Sequence, residues 1–474
     1  MIGKEGKKMT NKLIRKYGLF TAICMVVGIV IGSGVFFKAQ AILTKTGGDM
    51  PLAIAAWLIG GAIMLVCLLT FSFMGQKYER VNGIVDYAEA VVGPNYGYLM
   101  GWFSAAIYFP AMTSVLAWVS ARYTMVFLTS AFPGIPLMIP ADQGGCIVGP
   151  ETMALTVFYL AAVYGMNALS PKLAGKFQTS TTVIKMIPLA LMAVVGIIVG
   201  LFTGTLQNNM VTVAQVANVA ENPLFVGVCA TAFAYEGWII ATSINAELKD
   251  SKKNLPKALI IGGIIIVCTY LFYYIGAAGG ATNQELIENG ATVAFTNIFG
   301  NVLGNILNLF IAISCLGTTN GLMLGCSRCM YALAARGRGP NPKVYNQLDA
   351  TTNMPANSSI FALMVTGAWF LYFYCANLAP FAGAWGGVLQ FDSSELPIIT
   401  IYLMYLPIFI QWMRKEKDQN VLRRFILPAL ALCGSVFMVI ACIFSHRMGC
   451  FWYIIVFAVV MALGVVADKN RKKI

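Results

Sequence analysis

Charge is scarce in this sequence. Only 11% of its 474 residues are Asp, Glu, Lys or Arg, there is a single histidine, His446, and 58% of the residues are hydrophobic. A mean hydropathy of +0.75 lies far outside the range of a water-soluble domain. The scarcity excludes whole classes of chemistry. One histidine cannot supply a metal-spaced set, no carboxylates stand paired, and no nucleophile has a base beside it, so an intramembrane enzyme is not expected. The twelve cysteines are scattered through apolar segments without metal spacing and are expected to act mostly as small buried hydrophobes. Cys146 and Cys450 fall in predicted external loops, where free thiols are the first expectation and a disulfide the other. The first apolar run is of spanning length and lacks the small-residue cleavage pattern of a secretory signal, so it is expected to stay in the mature protein. No cofactor and no bound metal are implied.

What is abundant is apolar runs of about 20 residues, each enough to cross a bilayer. They lie near 18–40, 52–75, 97–130, 152–169, 179–203, 222–245, 257–280, 300–333, 357–378, 391–412, 421–444 and 449–467, which predicts an all-α polytopic membrane protein with 12 transmembrane helices. With both termini cytoplasmic, as tails 1–16 and 468–474, 26 of the 32 Lys and Arg residues fall on the inner side. The outer loops hold Asp142, Glu151, Glu285, Glu288, Asp392 and Glu395, with Arg447 the main exception. The positive-inside rule selects this orientation. The formal charge of +13 therefore records topology, and nucleic acid is not an expected partner. The lipid bilayer is.

Two of the runs are interrupted. Tyr17 to Phe37 carries Gly28, Gly32 and Gly34 around Ser33. Glycine costs a helix about 1 kcal/mol relative to Ala, so this cluster predicts a helix that unwinds within the membrane. In hydrocarbon the freed backbone groups need a partner, so such a break is a candidate binding site; the other reading is a small-residue face packed on a neighbouring helix. About 200 residues later Phe233-Ala234-Tyr235-Glu236-Gly237-Trp238 interrupts helix 6 in the same way. Each break opens a block of five helices, 1 to 5 (17–203) and 6 to 10 (222–412), with helices 11 and 12 (421–467) appended, which is the pattern of an inverted-repeat transporter. Glu236 either caps the second half-helix or reads a polar or cationic group of a substrate. In helix 5, Lys185 either snorkels to the nearby interface or sets a fixed or titratable charge beside the central site. Pro110 is expected to bend a long, tilted helix 3, Pro256 to open helix 7, and 282–297 to form a short surface helix. Ser314, Thr318, Thr319 and Asn320 lie in the membrane part of helix 8, and Asp392 and Glu395 are read as outer-interface residues.

The residues Gly28 to Phe36 (GIVIGSGVF) and Phe233 to Trp238 (FAYEGW) resemble the amino acid-polyamine-organocation superfamily, in particular its L-type amino-acid transporter-like branch. Glu247 to Pro256, Asn167 to Lys185, and Ser327-Arg328 with Arg336-Gly337 support the likeness, which covers 17 to about 340. It implies a LeuT-type 5+5 inverted repeat with broken helices 1 and 6 and alternating access around them. It further implies that a substrate carboxylate meets the backbone amides of Ser33 and Gly34 after Gly32, in keeping with anion binding at helix N-termini. The α-amino group would meet the carbonyls of Val30, Ile31, Phe233 and Ala234. Phe233 would be the aromatic gate, and Lys185 would stand where sodium-coupled relatives hold a cation, tying helix 5 to helices 1 and 8. Tyr108, Met112 and Ser314 are placed near the pocket by position. The likeness departs at Phe73-Met74-Gly75, where Tyr-Ala-Glu is usual, and at Phe109, where an Arg often precedes the helix 3 proline. Cys146 lies in the loop through which eukaryotic members link to a glycoprotein, but its surroundings differ and no obligatory protein partner is expected. The implied activity is sodium-independent exchange of neutral L-amino acids across the plasma membrane. The alternatives are transport of cationic amino acids or amines using Glu236, proton-coupled symport through Lys185, and a receptor that binds amino acids without transporting them.

Overall fold

The structure, a computed structural model, describes residues 15, 17–32, 34–78, 83–217, 219, 221–378 and 387–470. Among these, twelve segments are long and apolar enough to cross a membrane. We label the helices α1 (Leu19–Val30), α2 (Gly34–Lys45), α3 (Met50–Lys77), α4 (Gly83–Val91), α5 (Pro94–Ala131), α6 (Pro150–Leu169), α7 (Pro171–Thr203), α8 (Pro223–Ala234), α9 (Ser251–Gly280), α10 (Asn283–Asn289), α11 (Ala291–Ala335), α12 (Ala356–Leu378), α13 (Leu396–Lys415), α14 (Leu422–His446) and α15 (Met448–Asn470). The first span is thus two half-helices, α1 and α2. The sixth is α8 followed, after a break, by a 3₁₀ segment Trp238–Glu247.

Local chemistry sets these boundaries. Asp49 opens α3 by accepting the Leu52 N–H at 2.9 Å, with Pro51 in the first turn, where its missing N–H costs nothing. Thr282 and Glu285 form a reciprocal capping box on α10. Within α5 the turns widen at Ser104–Tyr108 just before Pro110. A proline cannot donate to the carbonyl four residues back, which here is Ala106, and the Trp369 indole N–H of α12 donates to it instead at 2.8 Å. The kink is thereby satisfied from a neighbouring helix.

Several expected boundaries move. The seventh helix begins at Ser251, so Pro256 lies inside it rather than at its start. The segment 282–297 is not one surface helix: α10 ends at Gly290, and α11 follows with non-helical backbone at Gly300 (φ 82°, ψ 168°). The fifth helix starts at Pro171 and not near 179, because Ser170-Pro171 is a helix start and the polar residues after it, including Lys172 and Lys176, form the helix end that projects from the apolar layer. Lys185 therefore sits fourteen residues into α7, about 21 Å from its start at 1.5 Å per residue. Cys450 lies in the first turn of α15 rather than in a loop, and Cys146 is buried in a short helix, Gly145–Val148. Both are free thiols with different neighbours, Cys146 beside Thr129 and Cys450 beside Cys442.

The helices enclose an aromatic interior. Trp57 of α3 meets Tyr235, Tyr270 and Tyr274 edge-on or tilted at 5.5 to 5.7 Å between ring centroids. Such pairs add about 0.5–1.5 kcal/mol each beyond the area they bury. This packing holds α3 and α9 against the second break. At one end of the bundle Arg336, just after α11, pairs with buried Asp86 and with Glu89 of α4.

Candidate functional site: the paired helix breaks

α1 stops at Val30 because Ile31 leaves helical backbone (φ −73°, ψ 87°), and α8 stops at Ala234, with Gly237 at φ 103° beyond it. A φ of that sign is open to glycine at no steric cost. Carbonyls left over by the breaks are met by side chains from α7, α9 and α11. Lys185 Nζ, with its side chain fully buried, donates to Gly28 O at 2.7 Å, to Ile31 O, and to Ser314 O at 3.2 Å, with Thr318 Oγ1 at 3.5 Å. Tyr270 Oη donates to Val30 O at 2.9 Å and lies 3.0 Å from Ala234 O, so one hydroxyl bridges both breaks. Ser314 Oγ reaches Gly32 O at 3.1 Å and Ile31 O at 3.3 Å. In hydrocarbon each unmet carbonyl would cost several kcal/mol, so these side chains hold the unwound backbone in place. Lys185 does not snorkel.

The glycines are also a packing face. A Cβ on Gly28 would run into Thr182 of α7, one on Gly32 would lie 2.8 Å from Thr318 Oγ1 of α11, and one on Gly34 2.5 Å from the Ala234 Cα of α8. Real Cβ atoms do not approach so closely. Both readings of the glycine cluster therefore describe the same residues.

Between the breaks lies a cavity of about 320 Å³. Val30, Gly32, Gly34, Tyr108, Met112, Phe233 and Glu236 line it, together with Ile29, Leu116, Gly237, Thr318 and Leu322. Of the residues anticipated from sequence, Ser33 lies outside the described residues. Ile31, Ala234 and Ser314 do not line the cavity. The Ile31 carbonyl is drawn instead to Lys185, Ser314 and Thr318, the Ser314 hydroxyl to carbonyls of the break, and Ala234 backs Gly34. Tyr270 and Thr318 complete the constellation. Thr318 was visible as a hydroxyl in an apolar helix, whereas nothing local marks Tyr270 apart from other tyrosines.

Glu236 is buried at the second break. One carboxylate oxygen accepts from the Tyr108 hydroxyl, while Oε2 has no hydrogen-bond partner among the described residues. Phe233, one helical turn away, carries the Lys38 ammonium 5.1 Å from its ring centroid, a cation-π distance. Lys38 in turn pairs with Glu395. Glu395 is thus a buried residue joining α2 to the start of α13.

The sequence profile described as amino acid permease matches residues 17–466. The serine/threonine exchanger SteT of Bacillus subtilis (strain 168) is 27% identical over 450 residues, covering 93% of this chain and 94% of that one. The b(0,+)-type amino acid transporter 1 of Mus musculus is 23% identical over 458 residues, 94% of this chain and 86% of that one. The large neutral amino acids transporter small subunit 2 of Homo sapiens is 26% identical over 352 residues, 73% and 62% of the two chains. Among solved structures, MhsT in complex with L-phenylalanine superposes with a TM-score of 0.59 at 11% identity, covering 92% of this chain and 99% of that one. This likeness establishes the LeuT-type 5+5 fold. With that fold, twelve apolar spans and a profile matched over nearly its whole length, the chain belongs to the amino acid permease family, whose members are membrane transporters and not enzymes.

Proposed function

We propose that this transporter exchanges neutral L-amino acids across the plasma membrane by alternating access around the two broken helices, without sodium and with both termini cytoplasmic. The observation that carries the reading is Lys185. Its ammonium is held among carbonyls of the first break and of α11, so a charge carried by the protein would do there what a transported cation does elsewhere. A site whose charge travels with the protein gives the substrate no ion gradient to spend, which leaves exchange or downhill facilitated movement. The name of SteT, an exchanger, supports exchange. The cavity's volume and its apolar wall of Ile29, Met112, Leu116 and Leu322 support a neutral side chain of modest size. In this reading the substrate carboxylate is bound by the backbone N–H groups of Ser33 and Gly34, in keeping with the unpaired N–H groups at a helix start. The ammonium is received by Val30 and the carbonyl of Phe233, and Phe233 closes over the substrate. Cys146, 6% exposed, offers no surface thiol, which supports a chain that works without a disulfide-linked partner.

A second reading rests on Glu236 Oε2, buried without a partner beside the cavity: it would pair with the cation of a basic amino acid or amine. One experiment separates the two. Proteoliposomes in sodium-free buffer, preloaded with unlabelled amino acid or left empty, are given a radiolabelled panel of neutral and basic amino acids. The expected result is uptake of neutral substrates in preloaded vesicles alone. Preferential uptake of basic substrates, abolished in Glu236→Gln, would replace the first reading with the second.

A further inference from the structure

The helix ends beside Phe233 bring together three thiols, an imidazole and a carboxylate that transport does not use. Cys229 lies on α8 four residues before Phe233, so it occupies the same helix face one turn away. Cys442 and His446 are on the last turns of α14, and Cys450 is in the first turn of α15. The Cys442 and Cys450 sulfurs are 3.9 Å apart. Ligating atoms of Cys229, His446 and Glu395 all lie within 4.8 Å of one another, and His446 Nε2 is 2.9 Å from Glu395 Oε2.

We propose that Cys229, Cys442, Cys450 and His446 form a site for a thiophilic metal ion of the Zn²⁺ class, with Glu395 orienting the imidazole. Two edges of such a site are already close, Cys442 to Cys450 and Cys229 to His446, and side-chain rotation would bring the two pairs together on an ion. Sulfurs bound to one tetrahedral zinc at ~2.3 Å stand about 3.8 Å apart, and the Cys442 to Cys450 distance already matches that edge. The donor set also selects the ion. Ca²⁺ and Mg²⁺ require several oxygens, and the one carboxylate here is committed to Lys38 and His446. Thiolates with imidazole are a set for Zn²⁺ or Cu⁺, and a carboxylate holding the histidine ring is the usual support of such a ligand. An entry path exists, because Cys450 is half-buried and the His446 side chain is 15% exposed, whereas Cys229 is fully buried. Binding would displace thiol protons and join α8 to the α14–α15 corner. It would thereby restrain the half-helix that carries Phe233. That last consequence rests on the transport reading; the site itself does not.

The test uses the full-length protein purified in detergent, with Co²⁺ as the spectroscopic probe and Zn²⁺ as competitor. The expected result is one Co²⁺ per chain with thiolate-to-metal charge-transfer absorption, displaced by Zn²⁺. Binding should weaken at least about tenfold in each of Cys229→Ala, Cys442→Ala and Cys450→Ser. Cys450→Ser and His446→Gln alter partly exposed positions and keep the test decisive if a buried variant does not fold. Absence of a thiolate band in reduced protein would overturn the proposal, as would a band that survives all these substitutions and so belongs to other cysteines. Mass spectrometry that finds Cys442 and Cys450 joined as a disulfide resistant to reductant would overturn it as well. In active proteoliposomes, Zn²⁺ should slow exchange by the wild type and not by Cys450→Ser. If Co²⁺ binds as expected but no exchange is seen under any condition, the transport reading fails and the metal site stands.

Discussion

At the scale of single residues, Lys185 ties the first break to α11. Its ammonium faces four acceptors from α1 and α11, and hydrogen bonds to a charged group are worth roughly 1.5–3 kcal/mol each. Lys185→Met is expected to lower both exchange and stability: at least a tenfold loss of exchange, about 1.4 kcal/mol on the conversion of rate to free energy, with a lowered melting midpoint in detergent. Lys185→Arg should not rescue it, since a planar guanidinium does not reproduce the point charge of an ammonium. Unchanged exchange in Lys185→Met, measured at equal amounts of reconstituted protein, would remove the fixed-charge argument. This lysine stood out in the sequence as a cation in an apolar helix. Its depth was not legible, because Lys172 and Lys176 make the true start of α7 look like a cytoplasmic loop. Tyr270 and the Cys229, Cys442, Cys450, His446 cluster were illegible for another reason. Their members are ordinary residues spread over more than two hundred positions, and only tertiary packing unites them.

At the scale of elements, the two breaks behave as one unit, since Gly34 lies against Ala234 and Tyr270 bridges Val30 and Ala234. Gly34→Ala places a Cβ 2.5 Å from a backbone atom, which cannot yield as a side-chain tip would, so α2 and α8 must separate. Overpacking of this kind costs about 1–3 kcal/mol, and exchange by this variant is expected to fall more than about tenfold. Gly18→Ala, where a Cβ meets nothing within 4 Å, should leave exchange unchanged. Equal effects of the two substitutions would show that the close contact of α2 with α8 is immaterial. The existence of both breaks was readable because glycines and a carboxylate are costly inside an apolar helix. What the break carbonyls meet was only partly readable, since the partners come from α7, α9 and α11. A similar argument holds at the bundle end. The Asp86 side chain is 1% exposed beside Arg336, and removing one partner of a buried pair costs about 3–5 kcal/mol. Arg336→Ala should therefore lower the melting midpoint much more than Glu89→Gln, and adding Asp86→Asn to Arg336→Ala should recover part of the loss. Additive losses would contradict the pairing.

At the scale of the whole molecule, hydropathy alone located all twelve spans, because apolar length is what a bilayer demands. It placed their ends less well where polar helix turns extend beyond the apolar layer, as in α7 and α9. In the proposed mechanism a charge built into the protein replaces a co-transported cation, and substrate moves in exchange for substrate on the other side. The most direct measurement is uptake of a neutral radiolabelled amino acid into empty, sodium-free proteoliposomes under an imposed inward proton gradient, beside preloaded vesicles without a gradient. The account predicts counterflow in the preloaded vesicles and no accumulation in the empty ones. Accumulation in empty vesicles that collapses with the proton gradient would contradict it and make Lys185 a proton carrier.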